Sequence, residues 1–361
     1  MEILVKSKKT ALLILAGAIL LTACNNAKPS DVTTSSVTET TERERIVLTE
    51  PETGPEEQPA QKAYTFNPHL YSKKLGGIIP KEHYEALYNL IDALREGRDT
   101  FECASEEAYK WATDDGTLNN LFPAACMKVS GKSKDGSVPF ENGTGRIYLN
   151  MPAEEFVKRE KQYEAEIEEI LNKWLEPDDN EFEKVLKLYD YMESTFTYGE
   201  VNPSETGDGA DYKAFQLKTG VCDHISSIYS YLLMQAGVEA LNIGTYEDNV
   251  CHAWTYVIVD GKSYHVDATW SLKSYLNIDY LRFDYFMMSA DWRTESGCPL
   301  NDITVPLLPR FWANYYEGLD LKTADNKYDA LQFGKFERLD EANKILYYTD
   351  ALGNNQQLSY A

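Results

Sequence analysis

The stretch 252–270 reads HAWTYVIVDGKSYHVDATW. Its first eight residues alternate as in a half-buried strand, and a second run of the same kind follows the dipeptide Asp260-Gly261. That dipeptide favours a two-residue turn, because both of its positions tolerate a positive φ. The sequence therefore predicts a β-hairpin in which Val259 pairs with Lys262 and the returning strand extends over 262–270.

The predicted register places two reactive side chains on one face. His252 lies opposite Thr269 and Trp254 lies opposite Asp267, so Asp267 is a diagonal neighbour of His252. Diagonal neighbours in an antiparallel pair have Cα atoms about 7–8 Å apart, within reach of an imidazole–carboxylate hydrogen bond. A slip of one residue would put the two side chains on opposite faces. The hairpin thus predicts a histidine–aspartate pair.

A cysteine lies upstream of the hairpin, at the start of a predicted helix. The N-terminal end of a helix stabilises a thiolate, and Gly220 lets other backbone approach Cys222 closely. A buried, inert cysteine is the alternative. A cysteine, a strand histidine and an orienting aspartate together have the parts of a nucleophilic site, which favours a reactive thiol. Apolar residues with helical spacing follow the cysteine: Ile225, Ile228, Tyr229, Leu232, Leu233 and Ala236.

These segments resemble the transglutaminase-like group of the papain-like cysteine-enzyme fold, over roughly residues 180–290. The resemblance implies an α+β fold in which the nucleophile helix packs on an antiparallel sheet. It also implies that Cys222 is the nucleophile, His252 the acid/base and Asp267 the orienting group. The matching motifs are Gly220-Val221-Cys222, His252-Ala253-Trp254, Asp260-Gly261-Lys262-Ser263-Tyr264-His265-Val266-Asp267-Ala268-Thr269-Trp270 and the preceding Lys187-Leu188-Tyr189-Asp190-Tyr191.

The implied reaction is attack on an amide bond of a protein or peptide substrate, with formation of a thioester. Transfer to an amine and hydrolysis both remain open. The backbone N–H of Cys222 is the natural oxyanion donor, and Gln216 and Trp254 are weaker candidates for a second donor. Bacterial members commonly have glycine and an aromatic residue where this chain has His224 and Ile225. The imidazole of His224 would narrow the acyl-binding cleft or change the pKa of the thiol.

The other histidines and cysteines favour structural roles. His265 shares a face with Asp267 and is interpreted as a hydrogen-bonded core residue. A zinc site is disfavoured because the adjacent residues Cys251 and His252 point to opposite faces of a strand, and no metal or other cofactor is predicted. We expect free, mostly buried thiols at the remaining cysteines, although export would permit disulfides: Cys103, Cys126, Cys251 and Cys298.

The first residues predict export and anchoring. Residues 1–23 combine lysines with an apolar run, as in a signal peptide. Leu21-Thr22-Ala23-Cys24 resembles the lipobox of bacterial lipoproteins, which implies cleavage before Cys24 and attachment of lipid to its sulfur. An ordinary secretory signal with an incidental cysteine is the alternative. Residues 24–63, rich in Thr, Ser, Glu and Pro, predict a disordered tether, so we expect a lipid-anchored protein on the extracytoplasmic face of the cell membrane.

The rest of the chain divides by pattern. We predict an accessory α/β unit over 64–178, the transglutaminase-like domain over 179–298 and a short C-terminal β-rich segment over 299–361. Hydrophobic periodicity predicts helices over 81–96, 105–111, 153–175 and 180–196, and strands over 123–151, 333–339 and 344–349.

Charge and composition limit the possible functions. The 361 residues include 58 acidic and 35 basic side chains, for a net charge of −23, so phosphate backbones would repel the chain and nucleic-acid binding is not expected. The rival to an enzyme is a catalytically silent binding or structural module, which would have no need of Cys222, His252 and Asp267 together. Glycan binding is a third interpretation of the 25 tyrosines, although filling of the core explains most of them.

Overall fold

The computed structural model describes residues 64–202, 207–245, 251–297, 300, 303–308, 319–322 and 325–361. The predicted signal segment, Cys24 and the tether lie outside these described residues. Within them, no helix is long and apolar enough to cross a bilayer.

The helices follow the apolar periodicity of the sequence, and the four predicted helices are confirmed to within one residue at each end. Asn180 and Glu183 form a capping box at the start of the helix that precedes the cysteine. The described helices are α1 (Lys81–Arg95), α2 (Glu106–Ala112), α3 (Asp115–Leu121), α4 (Ala153–Trp174), α5 (Glu181–Thr195), α6 (Ala210–Leu217), α7 (Cys222–Gln235), α8 (Ala268–Ser271), α9 (Lys273–Leu276) and α10 (Ala290–Glu295).

The strands form several small sheets and one sheet of four strands, in the order β10-β9-β8-β11. The described strands are β1 (Thr100–Glu102), β2 (Val129–Ser130), β3 (Phe140–Glu141), β4 (Thr144–Arg146), β5 (Tyr148–Leu149), β6 (Thr197–Tyr198), β7 (Thr219–Gly220), β8 (Glu239–Thr245), β9 (His252–Val259), β10 (Lys262–Val266), β11 (Ile303–Thr304), β12 (Lys335–Asp340), β13 (Ile345–Thr349) and β14 (Asn355–Ser359).

The hairpin of β9 and β10 has the predicted register. Val259 pairs with Lys262, and the turn residues Asp260 and Gly261 have φ angles of 52° and 73°. A turn with positive φ at both positions matches the right-handed twist of the flanking strands. The turn therefore fixes which residues of the two strands face each other.

The returning strand is shorter than the sequence predicted, since β10 ends at Val266. Asp267 caps the helical turn α8 by accepting hydrogen bonds from the backbone N–H groups of Thr269 and Trp270. The predicted pairings of Thr269 and of Asp267 across the hairpin are therefore absent. Aspartate competes with the strand ladder in this way because its side chain satisfies the first N–H groups of a helix.

Helix α7 packs against β8 and β9, as the predicted arrangement of a nucleophile helix on an antiparallel sheet requires. Tyr229 of α7 donates from its hydroxyl to the carbonyl oxygen of Val185 in α5 at 2.7 Å. On the opposite side, Ser226 donates to Asn242 of β8 at 2.8 Å. The predicted α+β fold class is confirmed.

The chain before α5 and the chain after the hairpin both make contacts in the interior of the domain. Trp111 of α2 is fully buried and donates from its indole to the carbonyl oxygen of Leu307, beyond the hairpin, at 3.2 Å. Near the start of the described chain, Gln235 at the end of α7 donates to the backbone carbonyl of Asn67 at 2.9 Å. The predicted strands over 123–151 are shorter than expected: Pro123–Ala125 form a 3₁₀ turn, and the strands in this region have two or three residues each.

The C-terminal sheet has the order β12-β13-β14. The two strands predicted in this segment are confirmed, and β14 was missed. Strand β14 is mostly exposed and polar, with the sequence NQQLS, so it lacks the alternation of apolar residues that marks a strand. Tyr360, just after β14, is buried and donates to Glu183 at 2.7 Å, which ties this segment to α5.

Candidate active site

Cys222 is the first residue of α7. Gly220, two residues before it, belongs to the short parallel pair β6–β7, in which the N–H of Gly199 donates to the carbonyl oxygen of Gly220 at 3.1 Å. The side chain of Cys222 is half-buried, and its sulfur accepts a hydrogen bond from the backbone N–H of Ala253. Since Ala253 follows His252 directly, the start of α7 meets the start of β9.

The ionisation of Cys222 differs from the sequence expectation of a stabilised thiolate. Burial, and to a smaller extent the charges of Asp267 and Asp223, raise the pKa of the Cys222 thiol to about 12, and the hydrogen bond from Ala253 opposes this shift. Removal from water disfavours a thiolate at this position. The thiol is therefore protonated at neutral pH and needs a base to become a nucleophile.

His252 and Asp267 form the predicted pair. The His252 Nε2 and Asp267 Oδ2 atoms are 2.6 Å apart, and both side chains are buried. A carboxylate only accepts, so Nε2 carries the proton and Nδ1 is the ring nitrogen with a lone pair. The other oxygen of Asp267 accepts the N–H groups of Thr269 and Trp270 at 3.1 and 3.2 Å, so both carboxylate oxygens are held.

Two indole rings fix the plane of the imidazole. The ring of Trp270 stacks on that of His252, with centroids 4.3 Å apart and planes 13° apart. The ring of Trp254 lies 6.2 Å from His252 at 23°. Stacking and the bond to Asp267 together restrict rotation of the imidazole, as a general base requires.

Arg293 of α10 completes the buried surroundings of Asp267, and the sequence did not indicate it. Its side chain is fully buried, and its Nη1 lies 3.1 Å from Asp267 Oδ2. Burial raises the pKa of Asp267, but the charges of His252 and Arg293 outweigh it and hold that pKa below its usual value. The sequence of a short polar helix does not show whether its single arginine is buried or exposed.

The two candidates for a second oxyanion donor are engaged elsewhere. Trp254 donates its indole N–H to Nδ1 of His265 at 3.0 Å. Gln216 donates to Glu166 at 3.1 Å on the surface. An indole has only one donor, so the assignment of Trp254 as an oxyanion donor is wrong, and the described hydrogen bond of Gln216 goes to Glu166.

His265 is the hydrogen-bonded core residue that the sequence predicted. It is fully buried, and it accepts from Trp254, so its Nδ1 is unprotonated. Burial and the charge of Arg293 lower the pKa of His265 to about 3. A neutral imidazole at this point holds Trp254 without adding a second positive charge beside Arg293.

His224 has a local role at the start of α7. Its Nδ1 accepts the backbone N–H of Val221 at 3.3 Å, a group that a helix start otherwise leaves without an intrahelical partner. The departure from the family pattern thus supplies a cap for the helix that carries Cys222.

The cysteines and possible metal ligands are distributed as follows. Cys103 and Cys126 are free and buried, Cys251 is free and exposed, and Cys298 lies outside the described residues. The exposure of Cys251 differs from the expectation of mostly buried thiols. Across the part of the chain that the structure describes, no group of three or more His, Cys, Asp or Glu side chains is placed to hold a metal ion.

Comparisons with known proteins give one family match. The sequence model of the transglutaminase-like superfamily matches residues 168–268, a span that contains Cys222, His252 and Asp267. No curated protein matches the chain significantly.

Two similar solved structures are a provisionally assigned cysteine protease from Cytophaga hutchinsonii and a provisionally assigned protease from Parabacteroides distasonis. The first is 19% identical, with a TM-score of 0.24, and the match covers 29% of this chain and 37% of that one. The second is 15% identical, with a TM-score of 0.23, and covers 35% and 34%. This chain therefore spans little more than a third of either protein. The resemblance seen in the sequence is confirmed by the family match: residues 168–268 match the transglutaminase-like superfamily.

Proposed function

We propose that this domain is a cysteine enzyme that attacks amide bonds of proteins or peptides through Cys222, His252 and Asp267. The family match supports a cysteine-type enzyme. The observation that carries the proposal is the buried bond of 2.6 Å between His252 and Asp267, beside a half-buried thiol at a helix start. A nucleophile, a base and a group that orients the base are the three parts that this chemistry needs.

In the first half-reaction, Nδ1 of His252 takes the proton of the Cys222 thiol as the sulfur attacks the amide carbonyl carbon. The carbonyl becomes a tetrahedral oxyanion. When the C–N bond breaks, His252 returns that proton to the leaving amine, and a thioester remains on Cys222. Asp267 stays ionised throughout and stabilises the imidazolium through Nε2.

The start of α7 supplies the oxyanion donor in this proposal. The first N–H groups of a helix lack intrahelical acceptors and point along the positive end of its dipole. In this proposal, the N–H of Cys222 donates to the oxyanion. A donor of this kind contributes about 10²–10³-fold in rate in other enzymes.

In the second half-reaction, His252 takes a proton from water or from a primary amine, which attacks the thioester carbon. The C–S bond breaks, the proton returns to the sulfur, and a carboxylic acid or a new amide is released. Hydrolysis and transfer differ only in the acceptor.

Mass spectrometry of a glutamine-rich protein incubated with a fluorescent primary amine separates the two outcomes, since transfer adds the amine and hydrolysis leaves an acid. Product should form with the wild type and be lost with Cys222→Ala, while circular dichroism of that variant stays unchanged. Product formation that persists in Cys222→Ala contradicts the mechanism.

Anchoring of this enzyme to the outer face of the cell membrane through Cys24 is part of the proposal. The support is the lipobox-like Leu21-Thr22-Ala23-Cys24 and the polar tether that follows it. Radiolabelled palmitate should be incorporated into the wild type and lost with Cys24→Ala. Equal labelling of the two proteins contradicts anchoring at this residue.

A silent binding module on the same fold is the second candidate, and one observation favours it. Burial raises the pKa of Cys222 to about 12, which by itself leaves the thiol unreactive. Iodoacetamide distinguishes the candidates: an enzyme should be alkylated at Cys222 near neutral pH in a reaction that requires His252. A silent module should show the same slow alkylation in the wild type and in His252→Ala.

A further inference from the structure

Arg293 is a buried cation directly behind the histidine–aspartate pair. Its guanidinium carbon lies 4.3 Å from the ring centroid of Trp254 and 4.9 Å from that of Trp270. Two indole faces therefore enclose the cation, which favours its charge electrostatically and fixes its plane. A fully buried ion pair is a poor device for stability, because apolar residues of similar volume commonly serve as well. Its presence beside Asp267 suggests a role in the site.

One oxygen of Asp267 contacts both the imidazole of His252 and the guanidinium of Arg293. Oδ2 lies 2.6 Å from Nε2 of His252 and 3.1 Å from Nη1 of Arg293. The oxygen thus stands between imidazole and guanidinium, and loss of either partner would leave a buried carboxylate with less compensation for its lost hydration.

We propose that Arg293 is a positioning residue that keeps Asp267 ionised and aimed at His252. This inference rests on the proposed acyl-transfer function. A protonated carboxyl would offer His252 a weaker acceptor, and the imidazolium formed during attack would lose its counter-charge. Arg293 therefore acts on the reaction through Asp267 and does not touch the substrate.

The groups that face Asp267 come from three neighbouring elements: His252 from β9, Cys222 from α7 and Arg293 from α10. His265 of β10 faces Arg293. Because burial raises the pKa of Asp267 while His252 and Arg293 lower it, removal of the guanidinium charge raises that pKa. Asp267 then takes up a proton at a higher pH than in the wild type. Below that pH, His252 lacks its charged partner and is a poorer base.

The test follows alkylation of Cys222 by iodoacetamide as a function of pH, with mass spectrometry of the peptide that contains Cys222. This readout needs no substrate and resolves Cys222 from the other thiols. Arg293→Gln keeps a hydrogen-bond donor but loses the charge, and Arg293→Lys keeps the charge. The matched control is Arg282→Gln, which removes a different arginine–aspartate pair, to Asp284 at 3.0 Å.

We expect the acid limb of the alkylation profile to move to higher pH by about 1–3 units in Arg293→Gln. The limb should stay at its wild-type position in Arg293→Lys and in Arg282→Gln. Near-UV circular dichroism checks that the packing of Trp254 and Trp270 is intact. A folded Arg293→Gln with an unchanged limb overturns the proposal.

If Arg293→Gln does not fold, Arg293→Lys alone tests the proposal. If Arg293 acted only by filling space, lysine would also move the acid limb of the alkylation profile. A shift of that limb in Arg293→Lys would therefore overturn the proposal. This test of Arg293 gives a result that does not depend on whether the protein has acyl-transfer activity. A limb that moves as expected in a protein without acyl-transfer activity supports the role of Arg293 and contradicts the enzyme.

Discussion

Gly220 and His224 are in direct contact at the start of α7. A methyl group on Gly220 would lie 2.8 Å from Cβ of His224 and 3.3 Å from its Nδ1. Contacts this short between carbon atoms do not occur without displacement of one partner. The glycine two residues before Cys222 is thus matched to the histidine two residues after it.

Gly220→Ala should therefore destabilise the domain by about 1–3 kcal/mol and slow the alkylation of Cys222. Urea denaturation and iodoacetamide labelling measure the two effects. In the double variants, His224→Gly should restore much of the loss because it removes the clashing Cβ, whereas His224→Ala keeps that Cβ and should not. Equal rescue by both would show that the contact with Cβ is not the cause.

The raised pKa of Cys222 makes a prediction about its base. With the thiol pKa near the value of about 12 that burial imposes, His252→Ala should leave Cys222 almost unreactive toward iodoacetamide below about pH 10. Wild-type protein should react faster at neutral pH, since His252 accepts the proton. Free Cys251, which is exposed, serves as an internal control for reagent and pH. Identical profiles of Cys222 in the two proteins would exclude His252 as its base.

His265 makes a prediction about stability and pH. Its pKa is about 3 in the folded protein against 6.5 ordinarily, so between these values the unfolded chain binds one more proton. The stability that a neutral His265 provides is complete above pH 6.5 and is lost as the pH falls toward 3, by about 1.4 kcal/mol per pH unit.

His265→Asn keeps an acceptor for Trp254 and cannot be protonated, so its free energy of unfolding should fall with a slope smaller by one proton over this range. Urea titrations at several pH values measure the difference. The same slope for both proteins would mean that His265 is already protonated in the folded state.

Gln332 links the C-terminal region to the backbone that supports Asp267. Its side chain accepts from the N–H of Tyr285 at 2.9 Å and donates to the carbonyl oxygen of Phe286 at 2.6 Å. Tyr285 has a φ of 62°, and its carbonyl oxygen accepts the N–H of Asp267 at 2.9 Å. An aromatic residue rarely adopts a positive φ unless its surroundings hold it there.

Gln332→Met should cost about 1–3 kcal/mol of stability, because two buried backbone groups lose their partners, and it should slow the alkylation of Cys222. Thermal unfolding and iodoacetamide labelling measure both effects. The matched control is Gln357→Met on the exposed strand β14, which should leave both unchanged. Normal alkylation of Cys222 in a destabilised Gln332→Met variant would show that the backbone around Tyr285 does not affect the reactivity of Cys222.

Local patterns predicted the parts of the fold that local physics decides. The turn at Asp260 and Gly261 fixes the hairpin register by itself, so the neighbourhood of His252 and Asp267 could be read from spacing. Their bond nevertheless forms from the first turn of α8 and not from a strand pair. Capping by Asp267 ended the strand early. The predicted strand pair and the observed helix cap nevertheless both bring His252 and Asp267 together.

Tertiary contacts decided what the sequence did not show. The burial of Arg293 beside Asp267 and the positive φ of Tyr285, which Gln332 holds, each depend on residues outside the hairpin. The pKa of Cys222 depends on how deeply α7 sits against β9, which periodicity does not report. The sequence thus predicted the proximity of His252 and Asp267 better than the pKa of Cys222.

The carboxylate of Asp267 divides its two oxygens between different tasks, one toward the N–H groups of α8 and the other toward His252 and Arg293. An amide in the same place would have a single acceptor atom and would have to turn its NH₂ toward donors on one side or the other. Asparagine, although nearly identical in shape, is therefore a poor mimic here. An engineer who wishes to retune this domain should leave position 267 unchanged and vary the indoles that surround it.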